Sequence, residues 1–76
     1  MTLDKINENQ ECKILNITCN NELKQRFYSF GIIKGAYLKV EKISLAKNTI
    51  EIVVDDTSVG MRIEEAKQIF VEKVKG

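Results

Sequence analysis

Glu64-Glu65 is the nearest approach to a carboxylate cluster in this 76-residue sequence, and the chain contains no histidine. General acid–base work needs groups whose environments set their protonation near working pH. Adjacent glutamates opening a helical turn read instead as favourable charge at the positive end of a helix dipole. A nucleophile would need a lysine or carboxylate as its base, and no serine or cysteine stands in a context that arranges one. Cys12 and Cys19 lie on one extended segment. At ~3.3 Å per residue they stand roughly 20 Å apart, beyond the about 7 Å between Cα atoms that a disulfide tolerates. Their C-x6-C spacing matches no common zinc pattern. The expected state is two reduced thiols, with Cys12 packed as a small apolar residue. No catalytic residue, metal ligand or cofactor is predicted. Gly31-Ile32-Ile33-Lys34-Gly35 lacks the spacing and the Lys-Ser/Thr ending of a phosphate loop, and reads as a helix stop followed by a turn.

The residues best suited to contact a partner are Arg26, Tyr28, Tyr37 and Arg62, because Arg and Tyr are enriched at protein interfaces. Each also has an ordinary reading. Arg26 borders the apolar stripe of a helix, where it can lie over the core or cap a carbonyl. Arg62 can tie a strand end to Asp55 or Asp56. Tyr28 lies about a hundred degrees from Phe27 around the helix, and Tyr37 alternates away from Leu38, which leaves both partly exposed. These four residues are expected to rim one cleft beside the helix.

That helix runs over 21–30. Leu23, Phe27 and Phe30 recur at i, i+4 and i+7 and form its buried face. Asn20 or Asn21 caps it, and Glu22 suits its first turn. Gly31, in the left-handed conformation, ends it, and Ile32 or Ile33 folds back on the last turn. A helix of about ten residues does not persist alone, so packing must hold it. Gly35 turns the chain into a strand over 37–44, in which Leu38 and Val40 share a face. A hairpin loop with Lys47-Asn48 at its tip leads to a strand over 49–55, where Ile50, Ile52 and Val54 face inward. Asp55-Asp56-Thr57 is a second tight turn. A short strand over 58–61, a helical turn over 62–67 and a last strand over 68–74 complete the chain. Before the helix, Cys12 to Thr18 is the first strand; Ile14 and Ile17 are three apart, which predicts a bulge. The architecture is mainly β: one domain over 1–76, a small SH3-like antiparallel barrel with a short inserted helix and a helical turn before the last strand. Closure of the barrel is expected to remove exposed edges.

Composition agrees with a small globular domain. The hydrophobic share is 43% and the charged share 30%, and a chain this short buries only about 60% of its unfolded surface. Twelve basic and 11 acidic residues give a net charge of +1, so there is no long-range attraction to nucleic acid or to an anionic membrane. No apolar run approaches the roughly 20 residues of a membrane span, and the N-terminus lacks a signal-peptide core. A cytoplasmic location and a monomer are expected.

Arg26-Phe27-Tyr28-Ser29-Phe30-Gly31-Ile32-Ile33-Lys34-Gly35 resembles the R-L-x-x-L-G-hydrophobic-x-x-G core of the FeoA family. The segment from Val59-Gly60-Met61-Arg62 to Val71 is similar to that family's closing motif. Together they cover roughly Leu3 to Val71. Two departures stand out. Asn9 occupies a turn where the family has glycine, and Asp55-Asp56 occupies another. The resemblance implies a non-enzymatic cytoplasmic accessory of bacterial ferrous-iron uptake that docks on the GTPase-bearing part of the transporter FeoB. The alternatives are an interaction module like the C-terminal SH3-like domain of metal-responsive repressors, and a small-barrel nucleic-acid binder, which the net charge disfavours.

Overall fold

The computed structural model describes residues 1–46 and 48–74. A 3₁₀ turn, Leu3–Lys5, precedes β1 (Glu11–Ile17), α1 (Asn21–Ser29), β2 (Tyr37–Ile43), β3 (Thr49–Val54), β4 (Thr57–Arg62), α2 (Ile63–Ala66) and β5 (Ile69–Lys73). All strand pairings are antiparallel, in the order β4-β3-β2-β1-β5. The expected hairpin tip at Lys47 lies outside the described residues.

α1 forms and stops for the expected reasons. The Asn20 side chain accepts from the Leu23 N–H at 2.9 Å, which satisfies one of the free donors of the first turn. At the other end Gly31 has φ of 84°. Its N–H donates to the Tyr28 carbonyl at 3.0 Å, and the Ile32 N–H to the Phe27 carbonyl at 2.9 Å. That pair of bonds is a Schellman closure. The closure corrects one expectation. Phe30 is not core but 40% exposed, because it is the C-cap with φ −97° and ψ 1°, where the chain has already left the helical path. Ile32, wholly buried, supplies the apolar contact beyond the stop, while Phe27 is buried and Leu23 packs against the core from its margin.

The strands curl through bulges. In β1 the register with β5 shifts between Ile14 and Asn16, which lets both Ile14 and Ile17 face inward while Leu15 turns out. A second shift, between Val40 and Lys42 of β2, has no such marker in the sequence. The turns at Asn9 and at Asp55-Asp56 have a left-handed backbone: Asn9 has φ of 68°, Asp55 of 48° and Asp56 of 65°. Asn and Asp enter this region more readily than other side-chain-bearing residues.

The expected removal of edges holds at one end only. At β5 the Val71 N–H donates to the Met1 carbonyl at 2.8 Å, and Thr2 bridges Phe70. Among the described residues β4, at the other end, pairs with β3 alone. The four residues of α2, with Ala66 fully buried, separate β4 from β5 and prevent a ladder between them. The curl is SH3-like; the hydrogen-bonded ladder stays open. The buried face holds Leu3 and Ile6 from the N-terminal segment, Cys12, Phe27, Ile32 and the inward residues of all five strands.

Candidate functional site

Glu65 organises the region where the two arginines meet. It is the third residue of α2, and its Oε1 accepts from the Arg62 N–H at 2.9 Å, the reach-back bond of a capping box. Arg62 has no acceptor with which to return the favour. The other oxygen of Glu65 lies 3.7 Å from Arg26 Nη1. One carboxylate therefore ties α1, the end of β4 and the start of α2 together. The Arg26 side chain is 59% exposed and that of Glu65 20%, so the pair contributes at most about 1 kcal/mol. Its effect is to aim Arg26 across a cleft of about 580 Å³ lined by Arg26, Thr49, Gly60, Met61, Arg62 and Glu65.

The structure brings Arg26 and Arg62 together and leaves the two tyrosines apart from them. Tyr37 lines a separate groove with Glu11, Lys39, Val53, Asp55 and Asp56, with the Lys13 ammonium 6.0 Å from its ring centroid. The expectation of a single cleft fails there because Tyr37 begins β2 beside the end of β3 and the Asp55-Asp56 turn, whereas Arg62 ends β4 opposite Thr49 at the start of β3, the other end of the strands. Tyr28 is exposed on α1. The proposed tie from Arg62 to Asp55 or Asp56 is also absent: among the described residues Arg62 makes no ion pair within 4.0 Å. The reason is distance along the strand, since Asp55 and Asp56 sit at the turn that begins β4 and Arg62 ends it.

Two features were missed from sequence. The role of Glu65 had a signal, the Arg62-x-x-Glu65 spacing of a reach-back cap, but Glu64-Glu65 read as a simple dipole effect. A depression of about 440 Å³, bordered by Ile6, Ile43, Leu45 and Ile63 with Asp4, Lys5 and Glu8, had none. It brings together residues from the N-terminus, the β2–β3 loop and α2.

Cys12 and Cys19 are buried, unbonded thiols. Burial, with a smaller contribution from the Glu11 carboxylate, pushes the Cys12 thiol up to about 11, which makes it a poor nucleophile and metal ligand at neutral pH. Among the described residues no group of three or more His, Cys, Asp or Glu side chains comes together to hold a metal ion. No helix among them is long and apolar enough to cross a membrane.

Known proteins agree with this arrangement of elements. The solution structure of FeoA from Chlorobium tepidum superimposes over 100% of this chain and 72% of that one, with a TM-score of 0.94 at 24% identity. A manganese-dependent transcriptional repressor, in complex with manganese, carries the same fold in part of its length. The match covers 97% of this chain and 36% of the repressor, with a TM-score of 0.87 at 18% identity. In sequence, a Campylobacter jejuni protein named as Fe(2+) transport protein A is 39% identical over 74 residues, 97% of this chain and 100% of the relative. The FeoA domain pattern matches residues 1–73, and on that match, with the Campylobacter relative beside it, the chain belongs to the FeoA family.

Proposed function

We propose that this chain is a non-enzymatic, cytoplasmic accessory of ferrous-iron uptake that docks on the GTPase-bearing soluble part of a FeoB-type transporter. Family membership supplies the process. The observation that carries the docking surface is the Arg26–Arg62 cleft, in which the Glu65 carboxylate holds the Arg26 guanidinium and the Arg62 backbone N–H, while the Arg62 guanidinium has no ion-pair partner among the described residues. Such a site has a net positive charge and free donors, which suits a carboxylate or backbone carbonyl of a protein partner better than a reacting substrate. Tyr28, two residues on from Arg26, points to another face of α1 and lies outside this surface. Tyr37 lies outside it too.

Titration of the transporter's soluble domain into this chain tests the reading. Arg26→Ala and Arg62→Ala are each expected to weaken binding, by about 2 kcal/mol where the residue is a hot spot, with melting temperatures close to the parent's. Tyr37→Ala is expected to bind as the parent does. Undiminished binding by both arginine variants, or losses that follow unfolding, would rule the cleft out. The repressor-module reading has only the shared fold in its favour.

A further inference from the structure

β4 has an open edge whose hydrogen-bonding pattern follows from its turn. Asp55 and Asp56 form a two-residue connection with positive φ at both positions, the type I′ signature, so Val54 and Thr57, which face each other across it, are a hydrogen-bonded pair. Alternation along an antiparallel ladder then makes Ile52 with Val59, and Ile50 with Met61, the next bonded pairs. Ser58, Gly60 and Arg62 are left with N–H and C=O groups directed away from β3. Arg62 gives an independent check of this parity, because its N–H does point outward, to the Glu65 carboxylate. Ser58 and Gly60 are exposed, and among the described residues their backbone groups make no hydrogen bond outside the β3–β4 pairing. An uncovered edge of this kind is a template for another strand.

We propose that a second copy of this chain adds to this edge, β4 antiparallel to β4 about a twofold axis at Val59. The register is chosen by two observations. Centring the axis on Val59 sets Ser58 opposite Gly60 of the second copy, so every outward group that is still free finds a partner. Centring it on Gly60 would set Ser58 against Arg62 of the second copy, whose N–H is already taken by Glu65. The Val59 register also sets Asp56, at the acidic start of β4, opposite Arg62 of the second copy, at its basic end. Arg62 makes no ion pair within its own chain among the described residues, and opposite charges across a strand pair are favourable. The contact is isologous, so each of these pairs forms twice and the assembly closes at two copies. Gly60 brings no Cβ to the seam, and a Cβ built there meets nothing within 4 Å. The joined sheets form one continuous antiparallel sheet across the axis.

The seam is short, so the dimer is weak, with a dissociation constant on the order of 1 mM. A dilution series of ¹H–¹⁵N spectra, with sedimentation equilibrium on the same samples, tests it without any other protein and so independently of transporter docking. Amide shifts that depend on concentration are expected at Ser58, Val59 and Gly60, and added salt should weaken association. Gly60→Pro removes an outward N–H and leaves the bonds to β3 in place; it should raise the dissociation constant at least about tenfold, since its N–H is used on both sides of the axis. Asp56→Asn keeps a residue that accepts positive φ and should raise it about two- to fivefold. That variant preserves the test should proline disturb the strand. A chain that stays monomeric over the whole series overturns the proposal, as does a dimer whose shifts map elsewhere or one indifferent to both substitutions. Protection of Ser58 and Gly60 that appears only when the transporter's soluble domain is added would also overturn it, by assigning the edge to that partner.

Discussion

The two ends of this sheet are finished in opposite ways. β5 is covered by the first residues of the chain: Met1 accepts from Val71, Thr2 bridges Phe70, and Leu3 and Ile6 just beyond are 0% and 1% exposed. Among the described residues β4 has no such cover, and its outward Ser58 and Gly60 carry neither bulk nor charge. Natural sheets usually blunt a free edge with lysine, proline or a bulge. Here the first six residues protect one end, and only the charges at its two tips, Asp55-Asp56 and Arg62, mark the other. A sealed edge belongs to stability and an open one is available to function, and both arginines of the candidate site stand at the open end.

Removing the seal is expected to have the largest effect. Leu3 has no exposed surface, so Leu3→Ala should cost about 2–5 kcal/mol, read from chemical denaturation, and should also promote aggregation as β5 loses its cover. A cost below about 1 kcal/mol would mean that the N-terminal segment rests on the sheet without holding it.

Next in size is an alkaline effect from the strand beside the seal. Cys12, on β1 opposite Lys73 of β5, has its thiol raised by burial, and secondarily by Glu11, from 9.0 to about 11. The folded chain therefore holds this proton more tightly than the unfolded chain. The stabilisation is fully present below pH 9 and is lost as pH rises toward 11, an effect of about 2–3 kcal/mol. Stability measured against pH should fall more steeply through this window for the parent than for Cys12→Ala, which lacks the group. Equal slopes would show that the thiol is solvated in the folded state.

The helix and the first strand were more legible in the sequence than the state of either sheet edge. Leu23, Phe27, Gly31 and Gly35 announce α1 and its turn locally, through periodicity and punctuation, and Ile14 with Ile17 announces the β1 bulge. Phe30 misled because periodicity assumes that the helix continues, while the glycine after it had already redirected the chain. Arg26 and Arg62 were recognisable as interface types, yet their meeting depends on Glu65 reaching both: the Arg62-x-x-Glu65 spacing signals one bond, but the contact with Arg26 is long-range and no spacing encodes it. Alternation gives the outward face for Tyr37 but not the end of the sheet it reaches, and the antiparallel pairing sets it at the Asp55-Asp56 end, away from Arg62. The open edge was hidden for a similar reason: whether the ladder closes depends on how α2 separates β4 from β5.

The glycines that deliver α1 to the open end come next. Gly31 and Gly35 have φ of 84° and 91°. A Cβ on Gly31 would meet Val54 Cγ1 at 3.6 Å and Asp55 Oδ2 at 3.8 Å, ordinary contacts, and one on Gly35 would meet nothing. The penalty is therefore conformational at both, and Gly31→Ala and Gly35→Ala should each cost on the order of 1 kcal/mol, with valine costing more. Two neutral substitutions in thermal melts would sink the account of the helix stop and the turn that follows it.

The smallest expected effect is the most direct measure of the contrast between the edges. In dilute solution, hydrogen exchange reads each outward amide separately, and β4 supplies its own control. Val59 and Met61 point their N–H groups toward β3, whereas those of Ser58 and Gly60 point outward on the same strand. The Ser58 and Gly60 amides should exchange at close to unprotected rates while Val59 and Met61 are slowed. At the other end, Val71 also donates outward, but to Met1 at 2.8 Å, so it should be slowed by at least about fivefold relative to Ser58, as a net hydrogen bond of roughly 1 kcal/mol or more implies. Truncating Met1 and Thr2 should abolish the protection of Val71 and leave Ser58 and Gly60 as they were. Slow exchange at Ser58 and Gly60 in dilute monomer would mean that β4 is covered after all, and the asymmetry between the two ends would disappear with it.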